Sequence, residues 1–187
     1  MTNPAIRNLL EGLGLNYAFQ KLVGEIRKDP FAHSRLSGLN PTAKALYSVL
    51  LWQAFERPVI VVVDGIQQAE ALGETVETLF DLVGGGQTSF RPQVLPALDV
   101  LPHQRLSPHS EISEERAVGL WRLATGTAPI TVTPLASALL RAEPAEFYRQ
   151  LALTLRAGEE VPFDAVVEHL RSVGYEHREP VEMVGEF

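Results

Sequence analysis

Pro58-Val59-Ile60-Val61-Val62-Val63-Asp64 reads as a β-strand that is apolar on both faces. A strand with no polar side belongs in a parallel sheet with helices packed over both surfaces. The flanking sequence supplies those helices. Thr42 to Phe55 has helical periodicity, with Ala45, Leu46, Val49 and Leu50 on one face. Gln67 to Leu82 has it again, through Ala71, Leu72, Val76, Leu79 and Phe80. Gly84-Gly85-Gly86 predicts a flexible turn. A short strand is expected over Leu95–Leu101, interrupted by Pro96 and closed by Pro102. Ser110 is expected to cap a helix running to about Ala124, with Glu111 and Glu114 favourably placed in its first turn. Ile130 to Thr133 predicts a further strand, and Pro134 to Leu140 a short helix.

Strand and helix signals alternate from about residue 40 to 141, the pattern of a doubly wound layer. The expected class is α/β, a RecA-like or Rossmann-like parallel sheet with helices on both faces, spanning 31–143. Residues 1–30 form a helical extension. There Ile6, Leu9, Leu10 and Leu13 make one amphipathic face, Ala18, Leu22, Val23 and Ile26 make a second, and Lys28-Asp29-Pro30 ends the pair. Beyond Pro144 the pattern changes to α+β, and 144–187 reads as the beginning of a smaller domain. Leu151–Leu155 alternates as a strand, Asp164–Val173 as a helix ending at Gly174, and Tyr175–Phe187 as a strand. An open strand edge at Phe187 is a hazard for a finished protein, so the natural chain is expected to continue.

Composition narrows the function classes. The chain has 187 residues, 45% hydrophobic, enough for one medium domain and part of another. It has no Cys, which excludes disulfides, thiolate metal sites and Cys nucleophiles and suits a reducing cytoplasm, the expected location. No apolar run reaches membrane-spanning length, so no membrane partner is expected. The net charge of −7 argues against nucleic-acid binding by this chain alone, because such binders carry a basic face. Acidic residues crowd the C-terminal stretch, including Glu159, Glu160, Asp164, Glu168 and Glu182; they read as a solvated surface or as a face for a basic partner.

Gly38-Leu39-Asn40-Pro41-Thr42-Ala43-Lys44-Ala45 has the spacing of a phosphate-binding loop, G-x-x-x-x-G-K-[ST]. Gly38 and Lys44 stand at the right separation. Ala43 replaces the glycine that lets backbone approach phosphate. Ala45 replaces the hydroxyl that holds Mg²⁺, and Pro41 has no N–H to offer an anion. Losing a metal ligand and one or two charge-assisted hydrogen bonds, at roughly 1.5–3 kcal/mol each, weakens nucleotide by about three orders of magnitude. Gly38, Asn40, Thr42 and Lys44 are therefore at most a vestigial loop, with no cofactor expected. The same residues also read as an ordinary helix start, with Asn40 as N-cap and Pro41 at the first helical position.

Other candidates carry less chemistry. Asp64 ends a buried strand where α/β folds bind ligands, so a small nucleotide-using enzyme working through Lys44 and Asp64 is the alternative reading. His103 and His109 flank Pro108 without a carboxylate at metal-ligand spacing, and His169 and His177 straddle Gly174; none is expected to bind a metal. No G-x-S-x-G elbow is present. The adjacent pairs Glu114-Glu115 and Glu159-Glu160 point apart on a helix and make no acid/base dyad. Trp52 and Trp121 fall among apolar residues at helical spacing and read as packing residues.

From Val94 to Leu123 the chain resembles the N-terminal region of bacterial transcription-repair coupling factors (Mfd). The likeness rests on Leu101-Pro102, then Ser107-Pro108-His109, then a helix with an early Arg116. It continues through Pro129-Ile130-Thr131-Val132-Thr133-Pro134-Leu135-Ala136-Ser137-Ala138-Leu139, Val173-Gly174-Tyr175 and Val181-Glu182-Met183-Val184-Gly185-Glu186-Phe187. It covers about residues 35–187 in consistent order. The resemblance implies a module similar to the excision-repair protein UvrB, without its catalysis, that recruits UvrA and packs on other domains of the same protein. It implies a parent that is an ATP- and Mg-dependent DNA translocase, meeting stalled RNA polymerase and DNA through parts absent here. Two departures limit the carry-over. The loop matches UvrB in spacing alone. The UvrB aromatic hairpin that grips damaged DNA is replaced by His103–Ser110, which has no aromatic residue to stack on bases. The basic residues that meet UvrA in the family would follow the Gly-Glu-Phe run, after Phe187.

Overall fold

The computed structural model describes residues 4–29, 31, 33–83, 90–100, 106–183 and 185–187. The expected turn at Gly84-Gly85-Gly86, together with Leu101-Pro102, His103 and Arg105, lies outside them. The chain divides into two compact units, Met1–Ala97 with Gly126–Leu140 and Leu98–Thr125 with Arg141–Phe187.

The first unit holds helices α1 (Pro4–Leu13), α2 (Tyr17–Lys28), α3 (Pro41–Phe55) and α4 (Ile66–Leu82), and strands β1 (Val59–Val63) and β2 (Gln93–Val94). It also holds β3 (Ile130–Pro134) and the single turn α6 (Leu135–Ala138); α5 (Ser110–Thr125) lies in the second unit. The strands form a parallel three-stranded sheet in the order β1-β3-β2, flanked by helices, so the class is α/β as expected. β1 and β2 run parallel on either side of β3, and α4 lies between them in the chain, as a crossover between parallel strands requires.

One sheet face carries the core. Val59, Val61, Val63, Val94, Ile130 and Val132 meet Ala45, Leu46, Val49 and Leu50 of α3 and Ala69, Leu72, Val76, Leu79 and Phe80 of α4. The α4 set recurs every three or four residues, the spacing of one helix face. Ala69 is buried there and the expected Ala71 is exposed. Gly73 is where α4 comes closest to the sheet: a Cβ there would collide with Cγ2 of Val94. Trp52 stacks obliquely on Phe80, 4.8 Å between ring centres. From α2, Phe19, Leu22 and Val23 are buried, with Phe19 edge-on to Tyr47. Leu22 and Val23 lie on the buried face as expected, Ile26 is half-buried, and Phe19 takes the place expected for Ala18, which is exposed. In α1, Leu10 reaches the core while Leu9 and Leu13 stay exposed.

β1 departs from expectation. Its odd residues face the core, but Ile60 and Val62 on the opposite face are 59% and 48% exposed. The expected strand Leu95–Leu101 is shorter and earlier. It is β2, extended by one hydrogen bond from Leu95 N–H to Val132 O (2.9 Å), and Pro96 then has no N–H to continue the ladder. Thr133 and Ser137 are buried polar residues whose hydroxyls donate to Leu95 O (2.8 Å) and Pro96 O (2.9 Å), so this segment is pinned by side chains instead.

In the second unit, α5 packs against α7 (Ala145–Gln150), and α8 (Phe163–Ser172) follows. Two expected strands are absent. The chain turns out of α7 at Leu151, and Leu153 and Leu155 are exposed in an irregular segment. Tyr175–Phe187 is not one strand either. It folds back so that Glu176 bridges Glu186, with Phe187 N–H on Glu176 O (3.0 Å) and Arg178 N–H on Phe187 O (3.1 Å). Phe187 thus spends both its N–H and its C=O on the single segment Glu176–Arg178. Gly174 (φ +94°) ends the α8 turn in the left-handed region, as its position after the helix predicts.

Candidate functional site

The loop leading into α3 shows how each of its polar groups is used. Gly38 has φ +78°, a left-handed turn that suits glycine. Asn40 is extended (φ −75°, ψ 170°), and its Oδ1 accepts from Ala43 N–H at 2.8 Å. Lys44 N–H donates to Asn40 O at 3.0 Å, the first turn of the helix ladder. Pro41 occupies the first helical position and has no N–H. Of the four backbone positions from Pro41 to Lys44, only Thr42 has an N–H not taken up within the turn. A phosphate cradle needs several such donors converging on one anion.

The side chains lead to the same chemistry. Ala45, where a phosphate loop has its Mg²⁺-binding hydroxyl, is fully buried in the core against the sheet. Gly38, Asn40, Thr42 and Lys44 are exposed. Ser48 is the nearest buried hydroxyl along α3, and it donates back to Lys44 O at 2.9 Å. Asp64 is exposed at the C-terminal end of β1, ahead of Gly65, which stands at the N-cap of α4. Salt bridges among the described residues include Lys21–Glu25, Arg91–Asp81, Arg149–Glu146 and Arg178–Glu176, and none joins Lys44 to Asp64. A cleft of about 200 Å³ lies between α4 and β2, lined by Glu70, Gly73, Glu74, Glu77, Pro92, Gln93 and Val94. It is smaller than the roughly 300–1,000 Å³ typical of ligand pockets, and neither Lys44 nor Asp64 lines it.

The histidines have structural surroundings. His109 donates its backbone N–H to the Asp99 carboxylate (3.2 and 3.3 Å), just ahead of α5. Ser110, the expected cap, is already the first helical residue. The His169 ring nitrogen Nε2 lies 3.3 Å from Leu151 O, and the His177 ring meets Phe187 edge-on. His103 lies outside the described residues. Among those residues no group of three or more His, Asp or Glu could hold a metal, and no helix is long and apolar enough to cross a membrane.

Sequence reasoning missed the devices that order the second unit. Arg149 Nε donates to Ala124 O at 2.8 Å, tying α7 to the last turn of α5. Tyr148 OH accepts from Glu143 N–H. Arg116, the early arginine of the family-like helix, is half-buried, and burial lowers its pKa against the opposing influence of Tyr148. The Glu186 carboxylate accepts from Glu182 N–H (2.9 Å) and Met183 N–H (3.1 Å). Those two bonds hold its carboxyl below the usual range, with a smaller contribution from Arg178. A Glu four residues after another Glu, with Gly185 beside it, was the available signal.

No protein-family model matches the chain. Curated relatives do. The transcription-repair-coupling factor of Myxococcus xanthus is 28% identical over 172 residues, 90% of this chain and 14% of the relative. That of Bacillus subtilis (strain 168) is 22% identical over 152 residues, 81% of this chain and 12% of the relative. That of Staphylococcus aureus (strain USA300) is 22% identical over 156 residues, 83% and 13%. The chain therefore spans 12–14% of the length of these relatives. Across several bacteria, and over most of its own length, it is similar to transcription-repair-coupling factors, the family that its motifs resemble.

Proposed function

We propose that this chain is a non-catalytic, UvrB-like scaffold that serves transcription-coupled DNA repair by recruiting UvrA. The observation that carries the reading is the start of α3. Asn40 occupies Ala43 N–H, Pro41 contributes no donor, and Ala45 sits in the core where a metal-binding hydroxyl would stand. The loop keeps the length of a nucleotide site while its groups serve a helix cap. The likeness to transcription-repair-coupling factors supplies the context. ATP and Mg²⁺ belong to motor domains of the longer protein. There the work on RNA polymerase and DNA is an ATP-dependent translocase activity, and the module also packs against other domains.

Thermal melting with Mg-ATP tests the first half. A ligand at 100 times its Kd adds about 2.7 kcal/mol, a shift of roughly 5–10 °C for a chain of this size. No shift is expected at sub-millimolar Mg-ATP, and a shift of that order defeats the proposal. A pull-down with purified UvrA tests the second half. Weak retention is expected for the chain ending at Phe187. Clear retention is expected when it is extended past Phe187 with the corresponding segment of the Myxococcus xanthus relative. No retention of the extended form refutes UvrA recruitment.

A further inference from the structure

Among the described residues the apolar core lies in one unit. Its members, from Phe19 on α2 to Ile130 and Val132 on β3, all belong to the first unit. In the second unit Gly119 is the one buried position among the described residues, and glycine brings no side chain to a core. The large apolar side chains there stay at the surface. Phe163 is 79% exposed, and Val118, Phe147, Leu155 and Met183 are exposed as well. Burial of apolar area is the main force that holds a fold against chain entropy. The helices cannot make up for its lack. α7 has six residues and α8 ten, below the roughly 12–15 at which an isolated helix becomes even marginally stable in water. The bonds from Arg149 Nε to Ala124 O and from Glu143 N–H to Tyr148 OH are exposed to water, where a hydrogen bond adds little net stability.

We infer that in this 187-residue chain the second unit is a conditional fold, which opens at low free energy while the first unit stays closed. Opening it breaks no strand pairing, because β1, β2 and β3 all lie in the first unit, and it takes no residue from the core. The segment Leu98–Thr125 then becomes a loop whose two ends are both held by the first unit. The entropic cost of such a loop grows only slowly with its length. The two forms make a switch. A ligand that prefers the closed form shifts the balance towards it, and the fraction already closed sets the apparent affinity. Elements that order on binding are drawn from this low-stability end of a structure.

Residue-resolved amide exchange on the full chain tests it. The hydrogen-bonded amides of α5, α7 and α8 are expected to be protected at least about a hundredfold less than those of α3 and α4. Equal protection in the two units overturns the proposal. Substitutions give a second reading. Arg149→Ala removes the bond to Ala124 O, so protection in α5 and α7 is expected to fall about three- to tenfold, with α3 and α4 unchanged. The same result is expected in sharper form if this variant leaves the second unit open altogether. Asn40→Ala removes the cap of α3, so protection is expected to fall in α3 and α4 and to stay unchanged in α7 and α8. A substitution in either unit that lowers protection in both by the same factor marks a single cooperative fold and overturns the proposal.

Discussion

Replacing Asn40 by Ala is the most direct probe of the α3 start. In the structure the Asn40 side-chain oxygen accepts from Ala43 N–H at 2.8 Å, and alanine at position 40 has no oxygen to take its place. Loss of such a cap costs about 1 kcal/mol, within a range of roughly 0.5–2. Unfolding in urea reads it through Trp52, which lies on the same helix against Phe80. A Trp121→Phe background silences the tryptophan of the second unit. With a slope of about 2 kcal/mol per molar urea, the midpoint of Asn40→Ala is expected about 0.5 M below its parent. Asn40→Asp retains an acceptor and is expected to stay near the parent. Asn40→Gly loses only a few tenths of a kcal/mol, or about 0.1–0.2 M. An Ala variant as stable as the parent, or a Gly variant less stable than the Ala one, refutes the assignment of this residue as a cap.

Two further outcomes follow from close contacts. Gly73→Ala forces a methyl into Val94, and overpacking of this kind costs about 1–3 kcal/mol. Trimming the neighbour with Val94→Ala is expected to make the same substitution at least about 1 kcal/mol less harmful in a double-mutant cycle; additive costs would mean that the helix and strand do not touch there. Glu186 is a pH probe of the fold-back at the C-terminal end of the second unit. Hydrogen bonds from Glu182 and Met183 lower its pKa on folding. Its contribution is therefore present above the ordinary carboxylate value and disappears as pH falls through the lowered one. The amide signals of Glu182 and Met183 should titrate at that lower pH, and Glu186→Gln should give the low-pH spectrum at neutrality. Titration at the ordinary carboxylate value would refute the two bonds.

What the sequence revealed of this fold was mostly local. Asn40-Pro41 carries its own stereochemistry, and Ala45, Leu46, Val49 and Leu50 recur at helical spacing, so cap and buried face are both found where expected. Val59–Val63 and Ile130–Pro134 are short apolar runs next to helices, a pattern with one common solution. What failed depended on partners distant in sequence. Alternation in Leu151–Leu155 and Tyr175–Phe187 predicts strands, but a strand forms only where a neighbour offers matching groups. The exposed side of β1 was unreadable for the same reason, since Val, Ile and Val look alike whether or not something covers them. At the candidate site, the spacing from Gly38 to Lys44 was legible. That Ala43 N–H is already occupied, and that Ala45 points into the core, required coordinates.

The interleaving of the two units has a consequence for biosynthesis. β3 sits between β1 and β2 in the sheet, yet it is translated after both and after α5, a helix that belongs to the other unit. At roughly 5–20 residues per second, the ribosome leaves β1 without its central neighbour for several seconds. A five-residue aliphatic run waiting that long is a natural handle for a hydrophobic-binding chaperone. Slowing translation between Val94 and Ile130 would lengthen the wait and raise the fraction of nascent chains lost to aggregation.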